Sequence, residues 1–294
     1  MKYFRLRAYT PYCGEELTAV AKGESEHEVI ASGLPDDLMA DCASEWFDPA
    51  DYETFGYEDE EEYEEMYYQE CGCEITEISE AEYLEELERL YGIKVLAVQA
   101  DVNAGGDNEA TVQNVIDQTI AAFGRIDVLI NNAQASASGV PLATHTTEQF
   151  NLAMYSGLYA VYHYMQACYP YLKESKGSVI NFASGAGLFG NYGQCSYAAA
   201  KEGIRGLSRV AATEWAPDGV RVNVICPLAM TEGLKKFKEE YPERYEQTIK
   251  GVPMGRFADP EKDVGGMCVF LCSDEASYVT GETITLQGGS GLRP

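Results

Sequence analysis

Ser184, Tyr197 and Lys201, in the stretch SVINFASGAGLFGNYGQCSYAAAKEG, have the types and spacing needed to move a proton: the serine stands thirteen residues before the tyrosine, and the lysine four after it. A phenol titrates near pH 10, roughly, so at neutral pH it is a poor base unless a neighbour stabilises its ionised form. On a helix, residues i and i+4 share one face, which lets the ammonium of Lys201 favour the phenolate of Tyr197. A hydroxyl at a strand end, where the sequence places Ser184, can hydrogen-bond a substrate oxygen whose charge changes during reaction. Taken alone, a tyrosine and a lysine on an alanine-rich helix are more often a packing residue and a solvated charge. The elements around them decide.

From Tyr83 onward the chain alternates helix and strand patterns. LEELERLYG predicts an amphipathic helix, IKVLAVQAD a buried strand and TVQNVIDQTIAAFG a helix ended by Gly124. IDVLINNA reads as a strand, 147–173 as a long helical stretch and GSVINFAS as the strand that ends at Ser184. A helix over SYAAAKEGIRGLSRVAATEWA, the strand VRVNVIC and the strand ETITLQGG follow. Strands this apolar, separated by helices, predict an α/β fold with a parallel sheet covered by helices on both faces.

Residues 1–80 differ in kind. They hold 23 of the 48 acidic residues but only 4 of the 21 basic ones, a net charge of −19, which leaves −8 for the remainder. YFRLRAY and ELTAVAKG alternate in polarity around Pro11 to Gly14 and predict a hairpin. Ser25 and Glu28 form a capping-box pattern before a helical stretch that Gly33 and Pro35 interrupt, and CEITEIS predicts a short strand. Between them, 48–70 is acidic and tyrosine-rich and reads as a solvated helix or an arm without fixed structure. The expected division is thus 1–80, a small acidic α+β segment of unknown role, and 81–294, the α/β domain.

So negative a chain repels phosphate backbones and anionic headgroups, which argues against nucleic acid and membrane surfaces as partners. No apolar signal region and no run long enough to span a bilayer is present, so a cytoplasmic location is expected. Nine cysteines without regular spacing fit reduced thiols there. Cys13, Cys42, Cys71 and Cys73 could supply four thiolates, but one residue between Cys71 and Cys73 is too few for the usual zinc chelate, and no metal site is expected.

Over about residues 84–294 the chain resembles the short-chain dehydrogenase/reductase family. The resemblance rests on QADVN at 99–103, NNAQ at 131–134, the spacing of Ser184 from the Tyr-x-x-x-Lys pair, VNVICPLAMT and FLCSDEASYVTGETITLQGGSG, all in family order. It implies a Rossmann-like sheet and hydride transfer between NAD or NADP and an alcohol or ketone, with Ser184, Tyr197 and Lys201 catalytic. It also implies that Lys201 and Tyr197 contact the nicotinamide ribose, that Asp101 and Val102 border the adenine, that Asn132 lies near a cofactor ribose, and that Pro227 and Met230 lie against the nicotinamide. A homodimer or homotetramer paired through 147–173 and 194–216 is expected on the same ground. Beyond Met230, Phe237, Tyr241, Tyr245 and Ile249 recur every four residues as a helical stripe that could be a substrate lid or simple core.

The pattern also departs from the family. Residues 1–80 contain no T-G-x-x-x-G-x-G turn, the loop whose helix amides receive a dinucleotide's diphosphate, nor the next strand, which selects NAD from NADP. The two absent strands would lie between 93–100 and 126–131, leaving an edge exposed or distorted. Gly157 stands where the family usually carries a catalytic-helix asparagine that supports a proton relay, and Gln134 replaces the glycine of Asn-Asn-Ala-Gly. Three readings follow: an oxidoreductase; a noncatalytic truncated dehydrogenase fold kept as an oligomeric binding platform; and a fusion in which an unrelated acidic segment replaced the beginning of a dehydrogenase.

Overall fold

A computed structural model describes residues 2–9, 16–23, 25–32, 34–46, 72–102 and 108–291. The turn at 11–14, the acidic stretch 48–70, Asn103 and the thiols of Cys13 and Cys71 lie outside the described residues. The chain divides into two compact units, Met1–Ala97 and Val98–Pro294.

In the first unit β1 (Lys2–Tyr9) and β2 (Glu16–Gly23) pair antiparallel, as the alternating pattern predicts. Next come α1 (Glu26–Ala31), α2 (Leu34–Trp46) and β3 (Gly72–Ile78), which pairs antiparallel with the other edge of β1. Phe4 and Leu6 point inward onto Val29 and Leu38, while Tyr3 and Arg5 lie on the opposite face, where they meet Tyr83 and Glu86, the period-two arrangement of a strand. α3 (Glu80–Tyr91) begins at a capping box made by Ser79 and Glu82 and ends at Gly92 in the left-handed region. It packs on β1 and β2, so the first unit runs past residue 80, where the sequence division was placed.

The second unit contains α4 (Glu109–Phe123), β4 (Val128–Asn131), α5 (Thr147–Ala153), α6 (Ala160–Ser175), β5 (Ser178–Phe182), α7 (Gly185–Phe189), α8 (Cys195–Trp215) and β6 (Arg221–Pro227). After these come α9 (Glu232–Glu240), α10 (Pro242–Lys250), α11 (Gly266–Cys272) and β7 (Thr283–Leu286). Its sheet is parallel, in the order β4-β5-β6-β7. Successive residues of β5 serve opposite faces: Val179 packs with Val112, Met165, Leu172 and Ile204 from α4, α6 and α8, whereas Ile180 packs with Val264 and Leu271 beside α11. A parallel sheet covered on both faces is therefore present, as expected.

The strand expected over IKVLAVQAD is not formed. Residues 93–101 take part in no strand among the described residues, and Ile93 is 51% exposed. A strand exists only through its neighbours, and among the described residues the sheet holds no strand to flank this segment. β4 consequently stands at an edge, with Val128 38% and Ile130 46% exposed.

Two helical expectations also change. The stretch 147–173 is interrupted by a π turn, Met154–Tyr159, between α5 and α6. The aromatic stripe is split at Tyr241, because Pro242 has no N–H with which to continue α9 and instead starts α10. Phe237 and Tyr241 still stack across the break at 5.7 Å, and Tyr245 meets the buried Phe257 edge-on, so part of the stripe serves as core.

Candidate active site

The sheet's carboxyl ends assemble the site. β5 stops at Phe182, and Ser184, in extended conformation, is the N-cap of α7, where its hydroxyl accepts from the amide of Ala186 at 3.1 Å. The same hydroxyl bonds the phenol of Tyr197 near the start of α8. Gly185 allows this turn to close, since a Cβ there would stand 2.4 Å from Nε2 of Gln287. One helical turn beyond Tyr197, Lys201 is 4% exposed; its ammonium donates to the carbonyl of Phe182 at 2.7 Å and lies 5.5 Å from the centre of the Tyr197 ring. The three residues chosen from spacing alone thus converge on the end of β5.

Their electrostatics differ from the sequence expectation in one respect. Burial pushes the Tyr197 phenol above its ordinary value, and the hydrogen bond from Ser184 opposes this only in part. Lys201, also by burial, is brought down to about 8. Desolvation of each group outweighs the help that the ammonium was expected to give the phenolate. At neutral pH the phenol is protonated and ready to donate.

The other predicted residues are more scattered. Pro227 closes β6 opposite Leu286, and the loop beyond it is braced by amide bonds from Leu228 to Leu286 and from Met230 to Ala258. Asn132 is exposed just past β4; its neighbour Asn131 reaches inward to bond Asn181 at 2.8 Å. Asp101 and Val102 lie in the irregular segment, with the Val102 carbonyl held by the buried Asn108 at 2.9 Å. Asn108, Asn131 and Asn181 were not singled out from sequence, where a buried asparagine looks like any loop or strand-end asparagine.

A nicotinamide dinucleotide fits this site at one end. Tyr197 and Lys201 offer hydroxyl and ammonium groups to a ribose, and the braced 227–230 loop offers a wall to a flat ring. For the diphosphate the fit is lacking: residues 1–80 carry no T-G-x-x-x-G-x-G turn, the loop whose helix amides would receive it.

Comparison with known proteins agrees with this geometry. A family profile described as enoyl-(acyl carrier protein) reductase matches residues 64–290. The chain is 66% identical over 210 residues to a 12alpha-hydroxysteroid dehydrogenase of a Clostridium species, covering 71% of this chain and 81% of that protein. It is 36% identical over 180 residues to a 3-oxoacyl-[acyl-carrier-protein] reductase of Thermotoga maritima, covering 60% and 71%. A solved structure from Sinorhizobium meliloti, provisionally named a short-chain alcohol dehydrogenase, superposes with a TM-score of 0.65 at 28% identity, covering 71% of this chain and 81% of that one.

Proposed function

As a member of the short-chain dehydrogenase/reductase family, the chain is an NAD(P)-dependent oxidoreductase of CH–OH groups, and we propose that Ser184, Tyr197 and Lys201 are its catalytic residues and a hydroxylated steroid its substrate. The observation that carries the site is the meeting of the Ser184 hydroxyl, the Tyr197 phenol and the Lys201 ammonium at the end of β5. The steroid rests on the 66% identity to a 12alpha-hydroxysteroid dehydrogenase, and an apolar ring system suits the aromatic side chains of Phe237 and Tyr241.

A bound dinucleotide supplies or accepts the hydride. This chain's residues manage the proton: Tyr197, protonated at neutral pH, gives its hydrogen to the ketone oxygen in the reducing direction and recovers one from solvent. Ser184 donates to the same oxygen and stabilises the charge that develops there. Lys201 holds the ribose end and fixes the loop at Phe182. Asn132, Pro227 and Met230 are the further contacts proposed for the nicotinamide half, and Asp101 and Val102 for the adenine.

We further infer a homodimer or homotetramer, supported by the apolar groove between α6 and α8, to which Tyr162, Tyr169, Leu207, Val210 and Trp215 contribute. No helix of the described residues is long and apolar enough to cross a membrane, and a cytoplasmic site of action is proposed with it. That the acidic 1–80 segment is fused to the dehydrogenase domain is part of the same proposal. Nothing among the relatives favours a noncatalytic platform.

The test is reduction of a 12-oxosteroid with NADH or NADPH, followed by absorbance of the reduced nicotinamide, together with calorimetric titration of each dinucleotide. Turnover abolished by Tyr197→Phe supports the proposal. Turnover equal in wild type and Tyr197→Phe would refute the assigned site.

A further inference from the structure

The two residues that break the family pattern, Gln134 and Gly157, meet in space. Gly157 lies inside the π turn, and a Cβ placed on it would stand 2.5 Å from Nε2 and 2.6 Å from Cδ of Gln134. The glutamine carboxamide therefore fills the space that a side chain at 157 would take. Its Nε2 donates to the carbonyl of Ala153 at 3.3 Å, at the entry to the widened turn.

A π turn spends one extra residue per turn and so displaces carbonyls from their regular helical partners. Side chains meet several of them here. Besides Gln134 on Ala153, Asn108 donates to Tyr155 at 3.0 Å, and the buried hydroxyl of Ser156 reaches Leu152 at 2.6 Å while also bonding the backbone of Ala135, the residue after Gln134. The widened turn is thus fastened to the loop that follows β4. It continues into Leu158, whose side chain fills the space over Gly203, where a Cβ would come within 2.8 Å; Gly203 lies two residues past Lys201 on α8. Oε1 of Gln134 is buried and accepts no hydrogen bond among the described residues, which leaves an acceptor aimed into the turn at a cost unless a donor reaches it.

We propose that Gln134 is a positioning residue of the hydride-transfer site: its carboxamide, delivered from the loop after β4, replaces the side chain that Gly157 lacks and holds the π turn on which α8 is seated. The proposal rests on the oxidoreductase reading for its kinetic consequence, but not for its structural one.

The experiment is a double-mutant cycle with Gln134→Gly, Gly157→Asn and the two combined, read by steroid turnover and by thermal unfolding of the full chain without cofactor. Gln134→Gly is expected to lower kcat about tenfold while KM holds within about twofold, and to lower Tm. The combined variant, which moves the carboxamide to the helix, is expected to recover more than half of both losses, a strongly nonadditive result. Gln134→Glu supplies a second signature: its acid form can donate to Ala153 and its carboxylate cannot, so kcat and Tm relative to wild type should fall as pH rises through the carboxyl's titration. Additive losses, or wild-type kcat and Tm in Gln134→Gly, would overturn the proposal. If the wild-type chain turns over nothing with either dinucleotide, the functional reading fails, and the unfolding cycle alone decides the pair: recovery sustains it and additivity ends it.

Discussion

The ammonium of Lys201 donates to the carbonyl of Phe182 at 2.7 Å, from a position 4% exposed. That bond ties α8 to the last residue of β5 and fixes where the Ser184 turn begins. It also places a charge where water is scarce, which is why Lys201 titrates at about 8 rather than 10.5.

A stability difference with pH follows. Between about pH 8 and 10.5 the unfolded chain holds the Lys201 proton more tightly than the folded one, so this group's contribution to stability improves as pH rises through that window. Below pH 8 both states are protonated and the burial penalty is constant. Comparing wild type with Lys201→Met by thermal melts should show the wild type gaining on the variant from pH 8 to 10. A constant difference in Tm over that range would contradict the buried charge.

Tyr197→Phe removes the proposed proton donor without removing the ring. The expected loss in kcat is about 100- to 10,000-fold, with little change in Tm, because the ring remains half-buried beside Lys201. Steady-state kinetics and a melt on the same preparation check both parts. Raising the pH should also slow the reducing direction only well above neutrality, since burial keeps the phenol protonated.

Asn181 is fully buried in β5 and joins three elements: its Oδ1 accepts from Asn131 on β4, and its Nδ2 donates to Ser208 of α8 at 2.8 Å and approaches the sulfur of Met165 of α6. Asn181→Ala leaves Asn131 and Ser208 without this partner. A loss of about 1–3 kcal/mol is expected from denaturant unfolding, with the sheet intact by circular dichroism.

The free edge of β4 has its own consequence. Exposed Val128 and Ile130 on an edge strand that pairs only with β5 among the described residues form a template for association with other chains. Ile130→Lys should reduce concentration-dependent light scattering without lowering Tm. Equal scattering by variant and wild type would mean that this edge is not where association begins.

Much of the second unit was legible in order. β5, β6 and α8 are long and strongly patterned, and their apolar residues can only be buried by a doubly covered sheet, so the sequence alone determined their type and neighbourhood. Ser184, Tyr197 and Lys201 were legible for a related reason: a strand end, a turn and a helical repeat of four residues are local geometry, and local geometry is written in local sequence. The hairpin of β1 and β2 was equally local.

What the sequence could not determine depended on partners distant in the chain. The apolar run at 93–100 has every strand signal, yet a strand needs a neighbour, and whether one was present only the assembled sheet could decide. The phenol's raised pKa came from how deeply the fold buries it, a quantity no spacing encodes. Likewise Gln134 and Gly157 are unremarkable as separate departures from a motif. Only the packing of the loop after β4 against a widened helical turn turns them into one pair, because the space left by a missing side chain has meaning only when the group that fills it is known.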